Sequence, residues 1–338
     1  MNPRRLRGIA ARERVEDRIR AFFRAGGYRE TRTPLLVASP GMEPHIRPIA
    51  TSTGAFLPTS PELAMKKLLA GGLERIFQLA PAFRDEPSTP THAAEFTMLE
   101  WYRAGATMET LMDEVEALIH DLAKSVGGGS HGSAGRGVED PLTDGVIRWQ
   151  GRTIATTPPW PRLEVRTLFA EAGAGGGERG AIGVAEVDAT RLGEHVAPDD
   201  GWDDLFFRIW LAKVEPALPA DRACFVARWP ASMAALAVID AAPDGTRWAK
   251  RFEVFAGGLE LGNAFEELTD AVEQRARFER DRAERTRLHP DWPASPIDEE
   301  FLRALEEGLP PCAGIAMGVD RLVMLLADEP DLAYTRWL

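Results

Sequence analysis

Residues 95–102 are Glu-Phe-Thr-Met-Leu-Glu-Trp-Tyr, and residues 251–265 are Arg-Phe-Glu-Val-Phe-Ala-Gly-Gly-Leu-Glu-Leu-Gly-Asn-Ala-Phe. Leu99 and Trp101 make one side of the first stretch apolar, which is typical of a β-strand that buries one face. The Gly257-Gly258 pair suits a two-residue turn, so the second stretch is predicted to form an antiparallel hairpin. Residues 75–84, before the first stretch, are predicted to form another strand that pairs with it.

Helices are predicted around these strands. A first helix carries one apolar stripe and ends at Gly26-Gly27. Ser60-Pro61-Glu62 has the residues preferred at a helix N-terminus. Residues 107–123, 205–214 and 272–287 are predicted to be further helices, and residues 314–326 a strand that runs into a helix. The predicted fold class is therefore α+β, with a mainly antiparallel sheet flanked by helices.

Composition limits the possible partners and compartments. The chain has 338 residues, 44% of them hydrophobic, and a net charge of −12. This charge argues against a general attraction to tRNA or to anionic lipid. The two cysteines, Cys224 and Cys312, form no CxxC pattern, and a reducing cytoplasm fits them. No apolar run reaches the roughly 18 residues of a membrane helix. The arginines between Arg4 and Arg14 are interpreted as a solvated helix face.

One domain is predicted over residues 1–338, with a glycine-rich variable insertion at about 126–180. The glycines at 127–137 are interpreted as a flexible surface loop, and those at 173–177 form a second glycine-rich stretch.

The first hairpin has a mixed polar and aromatic face. Phe96, Met98, Glu100 and Tyr102 share one side of their strand. Arg84 and Glu86, two residues apart, are predicted to share a face as well. An aromatic ring, an acid and an arginine together could bind a ligand, although an ordinary solvated sheet face explains the pattern equally well.

The second hairpin places two acids together. With a two-residue turn, Glu253 and Glu260 are diagonal neighbours, roughly 7–8 Å apart at Cα. Mg²⁺ prefers carboxylate oxygens, so a metal site is one interpretation and two exposed acids are the other. Asn263 and Glu267 have the opposite parity and join this pocket only if the strand bulges, which Gly262 would permit.

The last strand-to-helix unit has features of an anion site. Small residues run from Gly314 to Gly318, and Arg321 follows in the first helical turn. Helix N-termini and arginine forks both favour phosphate, whereas a lone arginine there is more often a surface residue. The sequence contains neither GxxxxGK[ST] nor HExxH, so a nucleotide site would need another architecture.

These segments together resemble class II aminoacyl-tRNA synthetases of the lysyl type. Residues 83–86 with 95–100 are similar to motif 2, residues 314–321 to motif 3, and the first helix with the strand after it and Pro34 to motif 1. Residues 59–62 and 260–265 resemble lysine-pocket segments. The resemblance implies the class II catalytic fold, ATP and Mg²⁺ as cofactors, and a homodimer.

The early position of motif 1 leaves no room for an anticodon-binding domain. In this the chain resembles the stand-alone paralogues that ligate (R)-β-lysine to elongation factor P, which implies that protein as the acceptor. Ala316 stands where the tRNA ligases usually have glycine. The paralogues share the alanine, and one methyl group decides about 1–3 kcal/mol.

The resemblance also implies roles for individual residues. Arg84 would hold the substrate carboxylate and the α-phosphate, and Arg321 the γ-phosphate. The other ATP contacts would be Glu86 and Phe96 at adenine, His92 in the motif 2 loop, and Glu253 and Glu260 through Mg²⁺. The amino acid would be held by Glu62 and Glu100 near the backbone-side amine, by Tyr102, Asn263 and Glu267 further along, and by Ala316.

Three departures from the family pattern stand out. The motif 2 loop lacks its usual arginine and has Ala93-Ala94, Ala264 replaces a glycine, and Glu266 is expected to add negative charge beside Glu267. The altered loop implies either weak ATP turnover or another group that substitutes for the arginine. Two alternatives to the protein ligase therefore stay open: an adenylate-forming enzyme that loads another carrier or tRNA, and a catalytically silent paralogue with a binding role.

Overall fold

The computed structural model describes residues 2–126, 145–174, 189–190, 192–198, 200–243 and 245–337. The predicted flexible loop at 127–137 lies outside these ranges. Of the second glycine-rich stretch only Gly173 and Ala174 lie inside them.

The helices are α1 Pro3–Ala25, α2 Glu62–Ala70, α3 Met108–Val126, α4 Val165–Glu171, α5 Trp202–Ile209, α6 Ala271–Leu288, α7 Glu299–Gly308 and α8 Val319–Leu326. The strands are β1 Arg29–Glu30, β2 Arg75–Phe83, β3 Glu95–Ala104, β4 Val146–Trp149, β5 Arg152–Ala155, β6 Arg162–Glu164, β7 Cys224–Pro230, β8 Ile239–Ala241, β9 Arg247–Ala256, β10 Leu259–Glu266 and β11 Cys312–Gly318.

One large sheet organises the chain. Its strand order is β1-β2-β3-β11-β10-β9-β7-β6, with β8 paired to β9. The β1–β2 and β6–β7 pairs are parallel and the other pairs are antiparallel. The predicted α+β class is confirmed. Among the described helices, none is long and apolar enough to cross a membrane.

Each face of the sheet packs on its own set of helices. Leu99, Trp101 and Ile315 point to the face covered by α1, α3 and α8. Tyr102, Phe255 and Phe265 point to the opposite face, which α2 and α4 to α7 cover. We call this second face the site face, because the candidate active site lies on it.

A bulge in β10 sets which side chains reach the site face. Phe255 pairs with Glu260 as the two-glycine turn predicts, but the next partners are Val254 with Gly262 and Glu253 with Asn263. Leu261 is therefore the extra residue, and the expected bulge is confirmed. Gly262 has no left-handed φ; a Cβ there would lie 2.8 Å from the carbonyl oxygen of Ala316. Close approach of β11 is what requires the glycine.

Several features differ from the sequence interpretation. Arg12 is not on a solvated face, because α1 runs beside α8 and buries its guanidinium. That group pairs with Asp320 and donates to the carbonyl of Thr335 at 2.6 Å. The short strand β6 inside the glycine-rich region joins the main sheet beside β7, which its local sequence did not indicate. Both cysteines are buried and free.

Replacing Arg12 by Met tests the buried ion pair. The change leaves the Asp320 carboxylate buried without its cation, so the free energy of unfolding should fall by about 3–5 kcal/mol. Urea denaturation measures it. Arg14→Met, on the exposed side of the same helix, is the matched control. Equal small losses in the two variants would contradict the assigned role of Arg12.

Candidate active site

The site face carries a cavity of ≈570 Å³ above the middle of the sheet. It receives side chains from the ends of β2 and β3, from β10 and β11, from the first turns of α2 and α8, and from the 40–46 segment. The sequence-predicted residues that line it are Glu62, Arg84, Glu86, His92, Phe96, Glu260, Asn263, Ala316 and Arg321. Glu100, Tyr102, Glu253 and Glu267 are buried behind its wall.

Arg84, Glu86 and Phe96 form one end of the cavity. The guanidinium of Arg84 lies 5.2 Å from the ring centroid of Phe96. Arg84 and Glu86 follow the end of β2, so the expectation that they share a strand face is wrong. The backbone turns here: Arg84 N donates to the carbonyl of Ala94 at 2.9 Å, and Glu86 N to that of Arg84 at 2.8 Å. Both side chains still reach the cavity.

Arg321 is held by the motif 2 loop. Its Nε donates to the carbonyl of Thr91 at 3.1 Å, its Nη1 to that of Glu260 at 2.7 Å, and its Nη2 contacts Nε2 of His92 at 2.6 Å. Burial and the charge of Arg321 lower the pKa of His92. A neutral imidazole that accepts from Arg321 fits this contact, so the loop and the arginine are joined.

Glu253 and Glu260 lie on the same side of the hairpin, as predicted. Burial and the charge of Glu260 raise the pKa of Glu253 to about 8. Oε1 of Glu253 accepts from Arg251 at 2.5 Å, whereas Glu260 lines the cavity. Two neighbouring carboxylates that repel each other fit a hard divalent cation. Within the described ranges, groups of three or more possible metal ligands are absent.

A row of paired residues crosses the sheet beneath the cavity. Glu253 pairs with Asn263, Asn263 with Ala316, and Ala316 with Glu100. Paired residues of neighbouring strands point to the same side. The β10 bulge therefore brings the two predicted pockets, from the first and second hairpins, into one continuous site.

Glu100 and Tyr102 belong to the buried layer directly behind the cavity wall, which we call the cavity floor. Oε1 of Glu100 accepts from Ser60 at 2.5 Å, and Oε2 accepts from Tyr102 at 2.9 Å. The Tyr102 ring lies over Gly314, where a Cβ would come within 2.1 Å of it. The glycine in the last strand thus makes room for the tyrosine. Ser60 also accepts from the backbone of Glu62 at 3.0 Å, which fixes the start of α2.

Lys66 is the residue of this floor that the sequence analysis missed. It is 1% exposed. Its Nζ lies 2.6 Å from Glu62 Oε1 and 2.5 Å from Glu267 Oε2. Burial would lower the pKa of Lys66, but Glu267 and Glu62 outweigh burial and raise it. Its position on the same helix face as the buried Met65 and Leu69 was the available indication.

The remaining departures lie away from the cavity. Glu266 points to the other side of the sheet, accepts from the backbone of Met108 at 3.1 Å and pairs with Lys250 at 2.7 Å. The expected extra charge beside Glu267 is thus directed elsewhere, because neighbours along a strand face opposite ways. Ala264 is buried in the core under α3.

Comparison with known proteins shows the family of this chain. The family model of the class II tRNA synthetases (D, K and N) matches residues 1–336. The chain belongs to this family. The class II fold expected from the motifs is thereby confirmed.

Individual relatives fall into two groups. The chain is 38% identical to a lysine–tRNA ligase of Chromohalobacter salexigens, over 98% of this chain and 63% of that protein. It is 37% identical to an elongation factor P–(R)-β-lysine ligase of Pectobacterium carotovorum, over 93% of this chain and 89% of that one. The corresponding ligase of Proteus mirabilis is 34% identical, over 95% of this chain and 91% of that protein. The chain therefore spans less than two thirds of the tRNA ligase and most of the protein ligases.

The buried carboxyls predict how stability depends on pH. Burial and the charge of Glu62 raise the pKa of Glu100 from 4.5 to about 8. Between these two pKa values the folded state binds more protons than the unfolded state. The free energy of unfolding therefore falls as the pH rises from 4.5 to about 8. Urea denaturation at pH values from 4.5 to about 8 should give a falling free energy of unfolding.

Glu100→Gln should flatten that slope, because an amide does not titrate. The control Glu95→Gln, at the exposed start of the same strand, should keep it. A slope in Glu100→Gln as steep as in the wild type would mean that other groups carry the pH dependence.

Proposed function

We propose that this chain activates lysine or (R)-β-lysine with ATP and transfers the aminoacyl group to a lysine side chain of elongation factor P. The observation that carries the proposal is the single cavity that joins Arg84, Phe96 and Arg321 to Glu62 and Asn263. One end suits a nucleotide and its phosphates, and the other suits an amino acid with a second amine. The chain spans most of the length of two elongation factor P–(R)-β-lysine ligases, and this similarity supports elongation factor P as the acceptor.

Activation would proceed by displacement at phosphorus. A carboxylate oxygen of the amino acid attacks the α-phosphorus of ATP, the bond to the β-phosphate oxygen breaks, and pyrophosphate leaves. Arg84 would neutralise charge at the carboxylate and α-phosphate, and Arg321 at the γ-phosphate. Phe96 would stack on adenine, with Glu86 at its polar edge. Positioning and charge neutralisation supply the catalysis, without a covalent enzyme intermediate.

Transfer would then consume the adenylate. The acceptor amine, after losing a proton to solvent, attacks the carbonyl carbon, an amide bond forms and AMP leaves. Glu253 and Glu260 would hold Mg²⁺, whose charge would offset that of the phosphates. Glu62 and Glu100 would lie near the backbone-side amine, and Tyr102, Asn263 and Glu267 would accept the amino acid side chain.

The proposal includes a cytoplasmic homodimer. Motif 1 of the family is its dimer element, and α1 with the segment after it occupies that position. Leu35 and Leu36 directly follow Pro34 and are exposed by 42% and 62%. Neighbouring exposed leucines suit a surface that a second copy covers.

ATP–pyrophosphate exchange tests activation. The wild type should exchange with lysine or (R)-β-lysine, and Arg321→Ala should lower kcat by about 10²- to 10³-fold because one charged donor to the phosphates is lost. Arg148→Ala, on an exposed edge of β4, is the control. Exchange without transfer to elongation factor P would favour another carrier. No exchange with any amino acid would favour the silent paralogue.

Ala316→Gly tests substrate choice. Its methyl group lines the cavity between Asn263 and Glu100. Removing it should shift the ratio of kcat/KM for β-lysine over α-lysine toward α-lysine by roughly 10-fold, as one methyl group allows. The measurement is exchange with the two amino acids in parallel. Ala313→Gly, near the other end of β11 and buried on the opposite face of the sheet, controls for the loss of a methyl group from this strand. An unchanged ratio in Ala316→Gly would remove Ala316 from the specificity argument.

A further inference from the structure

Glu43 is a carboxylate at the cavity that neither the sequence motifs nor the comparisons assign. It lies in the segment 40–46, which contributes several lining residues to the cavity, and Glu43 is one of them. Its Oε2 is buried and has no hydrogen-bond partner among the described residues. Burying a carboxylate oxygen without a partner costs free energy, so a cation or hydrogen-bond donor that binds there is favoured.

The fold holds this carboxylate in place. Arg285 of α6 donates to the carbonyl of Glu43 at 2.6 Å, to that of Gly41 at 3.3 Å and to Ser295 at 2.7 Å. Thr59 donates to the carbonyl of Pro40 at 2.6 Å. Gly41 has a φ of 127°, and a Cβ there would lie 2.6 Å from Glu43 Oε2. The backbone is therefore fastened on both sides of the carboxylate, which keeps it at the cavity.

Three other acids that line the cavity have a cation close by. Glu62 pairs with Lys66 at 2.6 Å, and Asp320 pairs with Arg12. Glu260 lies 3.8 Å from Arg321. Asp281 lies beside Glu43, and burial together with the charge of Glu43 raises its pKa to about 6. Arginines also lie near Glu43 and Asp281, but none of them donates a hydrogen bond to Glu43 Oε2.

Arg84 fixes which group of the substrate meets Glu43. Burial and the charge of Glu62 raise the pKa of Glu43, whereas the nearby Arg84 and Arg285 lower it. Glu43 therefore lies close to both Glu62 and Arg84. In the proposed function Arg84 binds the substrate carboxylate. An amino group on the α- or β-carbon is only two or three bonds from that carboxylate carbon, which brings it to the same part of the cavity.

We infer that Glu43 binds the ammonium group of the amino acid that lies nearest its carboxylate. This inference rests on the proposed function and deepens it, since it names the anionic partner for that ammonium. Glu62, already paired with Lys66, then supports the same ammonium from the side of α2. The distal ammonium is left to the floor formed by Tyr102 and Glu267.

The experiment compares Glu43→Gln with the wild type for substrates that differ by one amine. The amide keeps the shape and removes the charge, so KM for lysine or (R)-β-lysine should rise about 10- to 100-fold. KM for ATP should not change. As a competitor, 6-aminohexanoate lacks the amine next to the carboxylate, so its inhibition constant should be the same in both proteins.

Controls separate binding from folding. Glu279→Gln, on the exposed side of α6, should behave as the wild type. Glu43→Asp keeps the charge and should recover part of the loss. An unchanged KM for lysine in Glu43→Gln would overturn the inference. An equal rise in the KM for lysine and in the inhibition constant of 6-aminohexanoate would overturn it as well.

Failure of the proposed function has a different signature. In that case the wild type itself shows no exchange with any amino acid. Calorimetric titration of lysine and 6-aminohexanoate without ATP then still tests Glu43. Loss of lysine binding in Glu43→Gln, with 6-aminohexanoate unaffected, supports the inference. Absence of lysine binding to the wild type, or equal binding to both proteins, overturns it.

Discussion

The extra residue at Leu261 is the constraint on which the site depends. Side chains of a strand alternate, so a regular β10 would turn Asn263 and Phe265 toward α3 and expose the cavity to Ala264 instead. The bulge reverses the alternation once, between Glu260 and Asn263, so both side chains lie on the site face. Gly262 makes this possible because the backbone of β11 leaves no space for a Cβ.

A second constraint is the charge of the cavity floor. Glu62, Glu100 and Glu267 surround the buried ammonium of Lys66. Burial raises the pKa of both Glu100 and Glu267 to about 8, and the charge of Lys66 opposes this rise at each of them. In the proposed function, a substrate ammonium group beside these buried carboxyl groups would favour their ionised forms.

The sequence predicted the features that are encoded locally. Strand alternation located both hairpins, and Gly262 indicated where the bulge would be. Lys66 and Arg12 could not be found in this way, because both residue types are usually solvated and their burial depends on distant partners. Glu267 is about 200 residues from Lys66, and Asp320 about 300 from Arg12. Strand β6 was missed for the same reason, since three residues carry little pattern and β7 sets their register.

In the proposed complex, ATP would still meet the cation Arg321. Because of the altered motif 2 loop, it would first have to displace His92 from that arginine. All three donor nitrogens of Arg321 contact protein groups, two carbonyls and His92. The loop has no arginine of its own, yet through His92 it holds the arginine of α8 at the cavity. A phosphate competing for that fork would replace a neutral imidazole with an anion, which strengthens the contact. In the proposed complex, release of His92 from Arg321 therefore opposes ATP binding less than the new charge pairing favours it.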